Sequence, residues 1–111
     1  MRLLLFLPFS FSLIAGPVFA DLNAAGAAAR CKNVLELETV SDTKGLIDAG
    51  WCAGFAQAVA IYERRQCAGP IPPAEALAQA FVNWTSANPQ YWDIPPSEGM
   101  AAAFLVFPCK N

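Results

Sequence analysis

A chain of 111 residues with seven basic and nine acidic side chains carries a net charge of −2, and that mildly acidic balance argues against nucleic acid and anionic membrane as partners. It contains no histidine, so the commonest general base and the commonest metal ligand are missing, and neither a Ser-His nor a Cys-His catalytic pair can be assembled. Four cysteines in so short a chain point to covalent stapling instead.

The chain opens MRLLLFLPFSFSLIAGPVFA. Arg2 forms a short positive region, Leu3 to Ile14 an apolar run, and Val18-Phe19-Ala20 the small-residue pattern of a signal-peptidase site. We read residues 1–20 as a signal peptide cleaved after Ala20, with residues 21–111 left as one small domain. The apolar run is short for a membrane span of about 20 residues and is interrupted by Pro8 and Pro17. No membrane attachment is therefore expected after cleavage. Loss of Arg2 leaves the remaining chain one unit more negative, which is compatible with a basic protein partner.

From Asp21 to Val40 the pattern is weak. Ala24 to Cys31 is alanine-rich and favours helix, whereas Leu35-Glu36-Leu37-Glu38 alternates like a strand over too few residues to decide. The segment is read as helical. Glu36 and Glu38 are the one acidic pair that could be imagined in catalysis, but alternate acidic residues of this kind ordinarily form a solvated face.

A long helix is expected to begin at Ser41-Asp42-Thr43, any of which can cap it, and to run to about Gln66. Trp51, Phe55, Val59 and Tyr62 recur at the spacing of one helix face. Arg64 and Arg65 are expected in the last turn, where positive charge complements the helix dipole, and Gly69-Pro70 ends the helix. Gly50, Gly54 and Ala58 form a ridge of small residues spaced four apart. The expectation is close packing within the subunit; the alternative is the seam of a homodimer.

A second clear helix starts at Pro72-Pro73, presents Leu77, Phe81 and Trp84 on one face with Ala74, Ala78 and Ala80 alongside, and stops before Asn88-Pro89. Asn83-Trp84-Thr85 is formally a glycosylation sequon, but it lies inside this helix with Trp84 on the core side, and we read it as chance. Between Asn88 and Pro96 the sequence NPQYWDIPP is a proline-rich loop carrying Tyr91, Trp92 and Asp93. Aromatic residues on a stiff loop make good interface anchors that lose little entropy on docking. The simpler outcome is that Trp92 folds back over the end of the core. The last helix begins near Pro96-Ser97-Glu98 and reads MAAAFLVF from Met100 to Phe107. It is apolar all round, so it is expected at the centre of the domain.

The cysteines Cys31, Cys52, Cys67 and Cys109 lack the close C-x-x-C pairs of a zinc site. A helix from Cys52 to Cys67, rising about 1.5 Å per residue, holds their sulfurs about 22 Å apart, whereas a disulfide needs Cα atoms within about 7 Å. Each must reach another segment. Antiparallel succession of helices brings Cys109 to the end that carries Cys67 and returns Cys31 beside Cys52. The expected bridges are Cys31–Cys52 and Cys67–Cys109; Cys31–Cys67 with Cys52–Cys109 is the alternative. The fold class is thus an all-α, disulfide-stapled bundle of about four helices, with no catalytic residue, metal-ligand set or cofactor motif.

The ordered set Cys31, Cys52-Ala53-Gly54-Phe55, Cys67-Ala68-Gly69-Pro70, Pro72-Pro73, Asn88-Pro89 and Phe107-Pro108-Cys109 resembles the Rap/Tai family, the immunity proteins of type VI secretion amidase effectors. The resemblance spans about Cys31 to Cys109. It implies a small helical periplasmic protein, often dimeric, that binds a peptidoglycan amidase and blocks its active site. The chain departs from the family pattern at Phe55, where tyrosine is usual, and at Ala58 and Ala60, where a glycine and an acidic residue tend to stand. The matching positions are scaffold positions. The other class of function left open is a periplasmic structural or chaperone-like helical protein with no enzyme target.

Overall fold

The computed structural model describes residues 22–110; the expected signal peptide lies outside them. The described chain is an all-α bundle of four helices: α1 (Ala24–Leu35), α2 (Thr43–Glu63), α3 (Ala74–Ala87) and α4 (Pro96–Ala103). Single 3-10 turns follow α1 at Leu37–Thr39, α3 at Pro89–Tyr91 and α4 at Phe104–Val106. Among the described residues no strand forms, apart from one isolated antiparallel bridge between Ala68 and Lys110, and no helix is long and apolar enough to cross a membrane.

The first two helices start where a side chain satisfies an unpaired N–H group. The side chain of Asn23 accepts from the Gly26 N–H at 2.9 Å and that of Asp42 from the Gly45 N–H at 3.3 Å. Prolines take the starts of α3 and α4, where no donor is needed: Pro73 caps α3 and Pro96 is the first residue of α4. Helix α3 ends at Ala87, immediately before Asn88-Pro89, as the restriction on the residue preceding proline requires.

The core is built from small residues around a few large ones. Ala24, Ala27, Ala28, Cys31 and Val34 of α1 face Ala49, Cys52, Ala56 and Ala60 of α2, with Leu77 and Phe81 of α3 and Met100 and Phe104 at the other end of the chain. The alanines let α1 approach α2 closely enough for Cys31 and Cys52 to bond, with their Cα atoms 5.2 Å apart. Cys67 and Cys109 bond at a Cα separation of 5.1 Å. Both expected bridges form, and the alternative pairing does not. Helix α4 reaches its neighbours through Gly99. A methyl group added there would meet Phe81 Cε1 at 3.1 Å, Trp84 Cζ3 at 3.3 Å and Ala24 Cβ at 3.4 Å, so only hydrogen fits without displacement.

Four expectations are corrected. Helix α2 stops at Glu63 rather than Gln66, because Arg64 leaves helical geometry and a short run of turns leads to Gly69, whose φ of +96° lies in the left-handed region that glycine tolerates. Arg64 therefore does not complement the helix dipole from within the last turn. Its Nη1 donates to the Phe107 carbonyl at 3.1 Å and its Nη2 to the Pro108 carbonyl at 2.9 Å, which clasps the C-terminal segment. The ridge Gly50, Gly54 and Ala58 does not pack within the subunit: all three are exposed, and a methyl group added at Gly50 or Gly54 meets nothing within 4 Å. Finally, the apolar run from Met100 to Phe107 is not central throughout. The helix tightens to a 3-10 turn at Phe104 ahead of Pro108, which leaves Leu105 83% and Val106 70% exposed.

Candidate functional site

Two surfaces carry the features that a binding role needs. They lie at opposite ends of α3, which is about 20 Å long at 1.5 Å per residue.

The first is the loop from Asn88 to Pro95. Its backbone completes the bundle: the carbonyl of Ile94 accepts from the Ala24 N–H at 2.8 Å and that of Trp92 from the Ala25 N–H at 3.2 Å. These are N–H groups of the first turn of α1, which have no partner inside their own helix. The Trp92 indole N–H donates to the Thr85 carbonyl at 2.7 Å, and the Asn88 amide to the Trp84 carbonyl at 2.8 Å, which satisfies carbonyls at the end of α3. Tyr91 stacks on Trp84 with ring centroids 5.9 Å apart.

The loop is thus latched at both sides, yet its side chains are not core. Trp92 is 44% and Tyr91 47% exposed, and Asp93 is exposed beside them. Ile94 packs against the core, while Trp92 lies back on the end of α3 through its bond to Thr85 and stays half-exposed. The structure places Tyr91, Trp92 and Asp93 together on a rigid, half-exposed loop, the geometry in which an aromatic anchor loses little freedom when covered.

The second surface escaped sequence reasoning. Where α1 gives way to the 3-10 turn, Leu35 and Leu37 approach the first half of α2 and the start of α3 and form an open groove of about 1000 Å³. Glu36, Glu38 and Glu75 stand along it, and among the described residues no Lys or Arg lines it. The signal lay in Leu35-Glu36-Leu37-Glu38, whose apolar and acidic alternation reads as a strand only because the 3-10 turn that separates the two sets has no pattern of its own.

Several other polar groups have structural partners. Arg30 sits over the Trp51 ring at 4.9 Å and 4.0 Å from Asp48, which also pairs with Lys44 at 2.8 Å. Trp51 in turn stacks on Phe55 at 5.0 Å. Arg65 covers the Tyr62 ring at 4.1 Å. Thr85, within the formal sequon, is buried and donates to the Phe81 carbonyl at 2.8 Å, so Asn83-Trp84-Thr85 is helix interior as expected. All four cysteines are bridged. Among the described residues no group of three or more His, Cys, Asp or Glu side chains is placed to hold a metal ion. Glu36 and Glu38 are exposed and do not converge on a buried partner.

Comparison with protein-family models, with curated proteins and with solved structures returned no match.

Proposed function

We propose that this chain is a periplasmic binding protein of the Rap/Tai kind, which binds a peptidoglycan amidase effector and blocks its active site. The observation that supports the reading most directly is the latched loop. Tyr91, Trp92 and Asp93 project from a loop whose backbone and Trp92 indole are hydrogen-bonded to α1 and α3, on a helical bundle stapled by two disulfides. Two disulfides suit an oxidising compartment, and the signal-like N-terminus supports export to the periplasm. A preformed aromatic loop suits insertion into a cleft, because the entropy of ordering it is lost on folding rather than on binding.

The test is a titration of any cysteine–histidine peptidoglycan amidase found encoded beside this gene with the purified oxidised protein. Turnover of a peptidoglycan fragment should fall to zero at a stoichiometric ratio. Trp92→Ala should weaken inhibition at least tenfold, the range of an aromatic hot spot, and Asp93→Ala by less, while both variants keep their helical spectrum. If the protein neither binds nor inhibits any cell-wall hydrolase of its own genome, the amidase reading is wrong and a structural or chaperone-like role takes its place.

A further inference from the structure

The groove at the opposite end of α3 has a composition of its own. Its apolar surface comes from Leu35, Leu37, Leu46, Ala49 and Ala53, and Leu37 and Leu46 remain 50% and 51% exposed. Gly50 lies along it without a side chain, in open space, so an incoming backbone can come close to α2. The charged residues that line it are Glu36, Glu38 and Glu75, all exposed carboxylates, and among the described residues no Lys or Arg lines it. Lys44 and Arg30 both turn to Asp48, and Lys32 stands exposed on the last turn of α1, outside the groove lining.

A small-molecule site would bring a few polar groups inward to fix orientation. Here the carboxylates stay in solvent, and among the described residues no buried side-chain polar atom lacks a partner. The arrangement is instead an apolar trough with an acidic rim, which matches the mode in which an amphipathic helix lays its apolar face into a groove. Complementary rim charge sets register and speeds encounter.

We infer that this groove is a docking site for a cationic amphipathic helix of a partner protein, one with an apolar stripe flanked by Lys or Arg. The stripe covers Leu37 and Leu46, small residues on the partner helix meet Gly50, and the basic flanks pair with Glu36, Glu38 and Glu75. This inference does not depend on the amidase reading, since the groove and the Tyr91–Asp93 loop are separate surfaces.

The probe is a fluorescein-labelled synthetic helix of about four turns, with leucines at i, i+4 and i+7 and arginines beside them, titrated with the full oxidised protein and followed by anisotropy. Saturable binding is expected, at least tenfold weaker in the Glu36→Gln/Glu38→Gln/Glu75→Gln variant and weaker as salt rises. Gly50→Leu, which fills the groove from an exposed helix position, should abolish it, whereas Trp92→Ala should leave it unchanged. Far-UV circular dichroism establishes that each variant is folded. The inference is overturned by absence of binding, by equal binding of a probe with glutamates in place of the arginines, or by equal affinity for wild type and the Gly50→Leu variant. It is also overturned if sedimentation shows a dimer that Gly50→Leu dissociates, since a second copy would then occupy the groove.

Discussion

The two disulfides of this protein close loops that differ twofold in length and sit in opposite environments. Cys31–Cys52 spans 21 residues and joins the middle of α1 to the middle of α2, with both cysteines fully buried. Cys67–Cys109 spans 42 residues and ties the α2–α3 connection to the C-terminal segment, with Cys67 half-buried and Cys109 exposed. Loop-closure entropy alone favours the longer loop, but doubling a loop adds only about 0.6 kcal/mol. Burial works the other way and is larger. The inner bridge fills core volume between two alanine-lined helices, and its removal leaves space or a buried thiol, effects of order 1–3 kcal/mol. The outer bridge has a second tie close by, since Arg64 also holds the Phe107 and Pro108 carbonyls. The inner bridge therefore sets the fold and the outer one secures its end.

The sharpest way to break that comparison is to remove the bridges one at a time. Cys31→Ala/Cys52→Ala should lose about 4–5 kcal/mol in urea unfolding, at the upper end for a native disulfide in a small domain, with Tm falling by roughly 20 °C or more. Cys67→Ser/Cys109→Ser should lose about 2–3 kcal/mol and keep its helical spectrum. In wild type, a graded reductant followed by alkylation and peptide mapping should open Cys67–Cys109 first, because a reductant can reach it. Equal losses from the two pairs, or simultaneous reduction, would erase the distinction.

Two glycines sharpen it at smaller scale. Gly99→Ala forces a methyl group against Phe81, Trp84 and Ala24 and should destabilise by about 1–3 kcal/mol, the range for overpacking. Gly54→Ala puts the same methyl group into open space on α2 and should stabilise by about 0.5–1 kcal/mol through helix propensity. Thermal melts of the two variants should move in opposite directions.

What the sequence discloses here follows from which signals are local. The helix from Thr43 to Glu63 is written in periodicity and capping; its rise per residue separates Cys52 from Cys67 and leaves two pairings, of which the antiparallel order of the helices favours the one that forms. The ends of α3 are written in Pro72-Pro73 and Asn88-Pro89. The outer face of α2 is not written anywhere. Ala49, Cys52, Ala56 and Ala60 are buried, whereas Gly50, Gly54 and Ala58 are exposed, and both sets are small and regularly spaced. Periodicity identifies a face without saying what covers it. The Met100–Phe107 run misleads for a related reason: its composition says buried, but the 3-10 turn before Pro108 rotates Leu105 and Val106 outward.

The contacts hardest to foresee are side chain to distant backbone. Arg64 reaches carbonyls 43 and 44 positions away, and the indole of Trp92 finds the carbonyl of Thr85; neither leaves a local pattern. For the same reason the loop of Tyr91, Trp92 and Asp93 could be singled out by composition, while its double latch could not. The acidic groove needed three separate segments to converge before it existed at all.

Both regions depend on one statement: helix α2 carries the chain away from Cys52 as far as Glu63, and Cys67 follows in the turns beyond it, so each cysteine is stapled to a different neighbour in an oxidising compartment. Mass-spectrometric peptide mapping of the protein, purified unreduced from its native host, tests this directly. Fragments joined through Cys31–Cys52 and through Cys67–Cys109, with an N-terminus at Asp21, are the predicted result. A peptide cross-linked between Cys52 and Cys67, or four alkylatable thiols, would contradict it.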